Sequence, residues 1–165
     1  MTTANYDNAK SKALDLLRLY DIQEPIVPVF DIAKQEGLKI SFFTPESAEL
    51  KEISGILQED TKTIFINSSD SPQRQVFTVA HELGHWTMKH KRKDEVLYRM
   101  SSIITKDPQE QEANCFASHL LVPKEFLEKK INEFSLNIND TAILAKLFGV
   151  SEEMIQYRIK SFSYE

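Results

Sequence analysis

The sequence predicts an α+β fold, with a small, mainly antiparallel three-stranded sheet packed beside a helical core and a pair of short helices at the carboxy-terminal end. Three observations predict it. Apolar residues recur at helical spacing along most of the chain, three short segments between residues 38 and 67 read as strands, and the segment from about 72 to 90 carries an apolar surface broad enough to belong in a core. With 165 residues, 41% hydrophobic and 27% charged, the chain suits one domain, residues 1–165, made of a core to about residue 123 and a helical extension over 124–165.

Residues 5–20 form an amphipathic helix through Ala9, Ala13, Leu14, Leu17 and Tyr20, and 28–36 a second one, ended by Gly37. Leu38 to Phe43 reads as a strand. Ile53 to Leu57 and Thr63 to Asn67 are two more, joined as a hairpin across Glu59 to Lys62. One hairpin strand is expected at an edge, where an extended peptide could pair with it. Ser71 followed by Pro72 is an N-cap with proline at the first helical position, and Val76, Phe77, Val79, Ala80, Leu83, Gly84 and Trp86 supply the apolar surface downstream. Gly84 costs about 1 kcal/mol against alanine in a helix, so close packing of another backbone is expected there. Lys89, Lys91, Arg92 and Lys93 complement the negative pole at the helix end. Because Asp94 and Glu95 follow at once, a solvated terminus explains this run better than an acidic partner. Further helices are expected at about 108–121, 124–133, 140–148 and 152–161.

Residues 81–85 read His-Glu-Leu-Gly-His. Helix positions four apart lie about 5 to 6 Å from each other on one side, so His81 and His85 can share one ion while Glu82 leans over it. Burying these groups mid-helix is costly unless something satisfies them, and a divalent metal does so in one step. A catalytic zinc wants a third protein ligand and an open fourth position. His90 points off the ligand face and reads as a solvated helix-end residue. Glu112 is the preferred third ligand because it shares a face with Phe116 and His119, while Glu110, near the start of its helix, is explained by the dipole; spacing alone does not separate the two. With zinc in place Glu82 would act as general base, and Tyr98 or His119 could assist the oxyanion, although either serves equally as a structural residue. Asn114 could orient a ligand, or simply bond locally on its helix.

These residues resemble the ImmA/IrrE family of metallo-endopeptidases. The resemblance rests on Asn67, Arg74, the Phe-Thr-x-Ala-His-Glu-Leu-Gly-His run at 77–85, and the Glu-Ala-Asn-x-Phe-Ala-x-x-Leu-Leu-x-Pro run at 112–123. Pro25 to Gly37 and Leu147 to Ile159 are similar to the family's flanking segments. The resemblance implies a zincin-like fold, one zinc per chain held by His81, His85 and Glu112, Glu82 as catalytic base, and a helix-turn-helix transcriptional repressor as substrate, cleaved to derepress mobile-element or stress-response genes.

Other features narrow the alternatives. A polar start, Met1 to Asn8, gives no signal peptide, and no apolar run is long enough for a bilayer, so a cytoplasmic protein is expected. The single cysteine, Cys115, reads as a packed apolar group. Residues 144–155 have the small residue, turn glycine and isoleucine of a helix-turn-helix. Glu152 and Glu153 open the second helix, and the chain carries a net charge of −5, which speaks against direct DNA binding. The rival reading is a regulator that binds a repressor or DNA without cutting, its zinc merely structural.

Overall fold

Helical periodicity places Ala9, Ala13, Leu16 and Leu17 on one buried face of α1 (Tyr6–Leu19). Asn5 caps that helix, its side chain accepting from the Asn8 N–H at 3.0 Å. The computed structural model describes residues 3–90 and 107–162. After α2 (Val29–Gln35), Gly37 takes φ +87°, a left-handed conformation that turns the chain into β1 (Lys39–Phe43).

The expected hairpin forms from β2 (Gly55–Gln58) and β3 (Thr63–Asn67), which pair antiparallel. β1 joins the other side of β3 in parallel, from Lys39 opposite Thr63 to Phe43 opposite Asn67, so the sheet order is β1-β3-β2 and the sheet is mixed rather than mainly antiparallel. The reason lies in burial. β3 has Ile64 and Ile66 fully enclosed and Thr63 and Asn67 nearly so, the profile of a central strand, whereas β1 is only partly covered. A single helical turn, α3 (Ala48–Lys51), capped by Ser47, lies between β1 and β2; it is too short for any periodicity to show in the sequence.

The core helix α4 (Pro72–Met88) starts at the expected cap, Ser71, whose hydroxyl accepts from the Arg74 N–H. Residues 78–85 are buried without a break. The helix stops at Met88, because Lys89 adopts a left-handed φ of 56°. α5 (Pro108–Leu121), capped by Asp107, packs across α4, and α1 packs on both. Close approach at Gly84 is met by a side chain instead of a backbone: a Cβ there would lie 2.9 Å from Phe116 Cδ1 and 3.3 Å from Phe116 Cβ.

α6 (Lys124–Glu133), α7 (Thr141–Phe148) and α8 (Glu152–Ser161) complete the described chain. α7 ends at Gly149 with φ +66°, and α8 docks at the end of α5, where the buried Arg158 donates from Nε to the Val122 carbonyl at 3.0 Å. Its guanidinium also lies over the Phe162 ring. Of the two cations of α8, Arg158 is thus turned inward, while Lys160 is exposed. Among the described residues, no helix is long and apolar enough to cross a membrane.

Gly84→Ala should lower the thermal unfolding midpoint. Overpacking costs about 1–3 kcal/mol, which outweighs the gain of about 1 kcal/mol from replacing a helical glycine. Adding Phe116→Leu should recover part of the loss. A midpoint raised by the alanine, followed by circular dichroism, would show that this crossing is loose.

Candidate metal centre

The site begins where the hairpin meets α4. Asn67 at the end of β3 is buried, donates from Nδ2 to the Ile53 carbonyl at 2.9 Å and accepts from the Ser69 N–H. Arg74 on the first turn of α4 donates from Nε to Ser54 Oγ at 2.8 Å. These bonds lock the strand-to-helix connection, so the depth at which His81, Glu82 and His85 enter the core is set by the sheet. All three are buried, with exposures of 1%, 1% and 3%.

His81 and His85 point their Nε2 atoms at one another, 3.0 Å apart. The carboxylate that meets them is Glu110, with Oε2 3.1 Å from His81 Nε2 and Oε1 3.2 Å from His85 Nε2. The far side of the rings fixes the chemistry. His81 Nδ1 lies 2.9 Å from Asn114 Oδ1, an oxygen that can only accept, so Nδ1 carries the proton and the neutral ring leaves Nε2 as a bare lone pair. Lone-pair donors converging on a carboxylate repel unless a proton or cation lies between them. One atom from each of His81, His85 and Glu110 falls within 4.8 Å of the others, and a single divalent ion satisfies all three at once. Without an ion, the carboxyl of Glu110 stays well below the usual carboxylate range against the opposing effect of burial only when protons on the imidazoles face it, and a bound cation takes the place of those protons. The donor set therefore fits zinc, with two nitrogen ligands and one oxygen ligand from the protein.

Glu112, expected as the third ligand, lies elsewhere. Its Oε2 is 2.8 Å from His90 Nε2, and its Oε1 accepts from the Asn5 N–H at 2.7 Å. Successive helical residues are rotated by about 100°, so Glu110 and Asn114, four apart, share the face turned to His81, while Glu112 falls on another. The i, i+4 pairing of Glu110 with Asn114 was the signal available in the sequence. His90 also departs from expectation: it is only 8% exposed, with Nδ1 2.9 Å from His85 Nδ1.

His119 is bonded from Nδ1 to the Cys115 carbonyl at 2.8 Å and lines a cavity of about 300 Å³ with Lys10, Leu17, Pro123 and Arg158, a cavity that none of His81, His85 and Glu110 reaches. That placement gives no support to an oxyanion role. Tyr98 lies outside the described residues. Cys115 is buried, with Sγ 3.8 Å from the Tyr6 carbonyl oxygen.

Residues 33–160 match the model of the IrrE N-terminal-like domain, peptidase family M78. Metallopeptidase ImmA of Bacillus subtilis (strain 168) is 34% identical over 85 residues, which is 50% of this chain and 50% of that protein. Uncharacterized immunity region protein 2 of Bacillus phage phi105 is 34% identical over 96 residues, 56% of this chain and 59% of its own length. The chain thus spans about half the length of the curated relatives it matches. Among solved structures, a Mycobacterium tuberculosis transcriptional regulator has the same fold, with a TM-score of 0.63 over 92% of this chain and 46% of its own, at 15% identity.

Purified protein should hold about one zinc per chain. Elemental analysis should show most of it lost in His81→Ala, His85→Ala and Glu110→Ala, with Glu112→Ala losing clearly less. Full retention in Glu110→Ala would remove that carboxylate from the ligand set.

Proposed function

The chain belongs to the IrrE N-terminal-like peptidase family M78, and on that premise we propose that it is a zinc-dependent endopeptidase. Its substrate on this reading is a cytoplasmic helix-turn-helix transcriptional repressor, whose cleavage derepresses mobile-element or stress-response genes. The observation that carries the reading is a buried carboxylate, Glu82, directly beside His81 and outside the donor cluster of His81, His85 and Glu110. A structural zinc site has no use for such a group, whereas hydrolysis requires it.

Bound zinc supplies Lewis-acid polarisation of a carbonyl and makes water more acidic. Glu82 accepts the proton of the attacking water and passes it to the leaving amine. Asn114 keeps His81 in the tautomer that offers Nε2, and Glu110 brings the negative charge that balances the cation.

Substrate would enter as an added strand. β3 is central, so the hairpin's edge strand is β2. The Asn67 N–H bonds the Ser54 carbonyl at 2.8 Å, and by the antiparallel alternation the backbone groups of Gly55 and Leu57 turn away from β3. Beside this edge lies a cavity of about 450 Å³ lined by Glu36, Leu57, Glu59, His85, Trp86 and His90, which connects the strand to the end of α4 and is suited to take a substrate side chain. The relatives' names, a metallopeptidase and a phage immunity region protein, agree with a protease acting on a regulator.

Glu82→Gln keeps size and removes the proton acceptor, so it should hold zinc and fold normally while hydrolysis of a co-expressed repressor falls by about two orders of magnitude or more. Binding to the repressor should survive. An uncut repressor beside fully restored transcription would show that the chain acts by binding alone.

A further inference from the structure

α4 does not end where its histidines end. Lys89 in the left-handed conformation reverses the backbone, and the His90 N–H returns to the His85 carbonyl at 3.1 Å. This folds the His90 ring back against that of His85, with centroids 5.0 Å apart at 75° and Nδ1 to Nδ1 at 2.9 Å. On its other side, His90 Nε2 meets Glu112 Oε2 at 2.8 Å, and Glu112 Oε1 accepts from the Asn5 N–H that opens α1.

Donors and acceptors can be assigned along this chain. The Glu112 carboxylate only accepts, so a neutral His90 ring holds its proton on Nε2 and offers Nδ1 as acceptor, which places the proton between the two rings on His85 Nδ1. His85 is left with Nε2 as a lone pair facing His81 and Glu110, as Asn114 does for His81 on the opposite side. We propose that His90 and Glu112 are positioning residues which hold His85 in its metal-binding tautomer and orientation, through a chain anchored on the backbone at the start of α1. The proposal rests on the metal-site reading above. It gives Glu112 a role one shell outside the one expected from the sequence, and it makes the amino-terminal turn of α1 part of the support of the site.

Nitrogen-15 histidine spectra of the zinc-free and zinc-loaded unmutated protein test the assignment directly. The expected result is His85 protonated at Nδ1 and His90 at Nε2 in both forms; His90 protonated at Nδ1 overturns the proposal. Zinc affinity, measured by competition with a chelating dye, should fall about 10–100-fold in His90→Phe and in Glu112→Leu, the usual cost of losing an outer partner of a ligand. His90→Gln, which restores an acceptor for His85 Nδ1, should recover part of it. Some fall in the thermal midpoint of the zinc-free variants is expected, because each leaves buried groups unpaired, so affinities are compared only among variants that remain folded, and spectra of the unmutated protein decide the matter if either variant fails to fold. Unchanged affinity in folded His90→Phe overturns the positioning role. If instead His85→Ala leaves zinc binding intact, the metal-site reading itself has failed.

Discussion

The contact of Phe116 with the bare backbone of Gly84 sets both the separation and the rotation of α5 against α4. Rotation is the more demanding of the two. A shift of one residue turns a helix face by about 100°, enough to carry Glu110 away from His81 and His85 and to remove Asn114 from His81 Nδ1. Close packing without slack therefore does chemical work here: the apolar crossing holds a carboxylate and an amide within hydrogen-bond distance of two imidazoles.

A polar layer at the centre of a small protein is tolerated only when every member has a partner, since an unpaired buried donor or acceptor costs about 1–3 kcal/mol. Outward, the protein supplies those partners itself; inward, a bound ion would supply them. His81 is backed by Asn114, His85 by His90, and His90 by Glu112, which in turn accepts from the N–H of Asn5, the cap residue of α1. Tyr6 adds a bond from its hydroxyl to Gln111 Oε1. The amino-terminal helix thus serves the site twice, through the apolar face it lays on α5 and through the backbone donor that closes the polar chain.

The remaining elements divide two tasks. The hairpin, locked to α4 by Asn67 and by the Arg74 to Ser54 bond, sets how deep the histidines lie and leaves β2 at the sheet edge beside the cavity at the end of α4. The carboxy-terminal helices brace the other end of α5, where Arg158 satisfies the Val122 carbonyl that helix termination leaves open. Their helix-turn-helix outline packs against the end of α5 here, with the buried Arg158 bonded to the protein's own backbone.

What the sequence determined by itself is local. The caps at Asn5, Ser71 and Asp107, the turn at Gly37 and the pairing of His81 with His85 depend on residues within one or two helical turns, and helix and strand positions followed from periodicities of the same range. The tertiary structure alone decided which acidic residue faces the histidines, that His90 folds inward, and that β1 joins β3 in parallel and leaves β2 at the edge. The reason is common to all of these. Glu110 and Glu112 are both acceptable on a helix surface, and choosing between them requires the rotation of α5, which a phenylalanine and a glycine on two different helices set together. Likewise, no residue near His90 announces the left-handed turn at Lys89, and the neighbour of β1 is chosen by the burial that β3 demands on both faces.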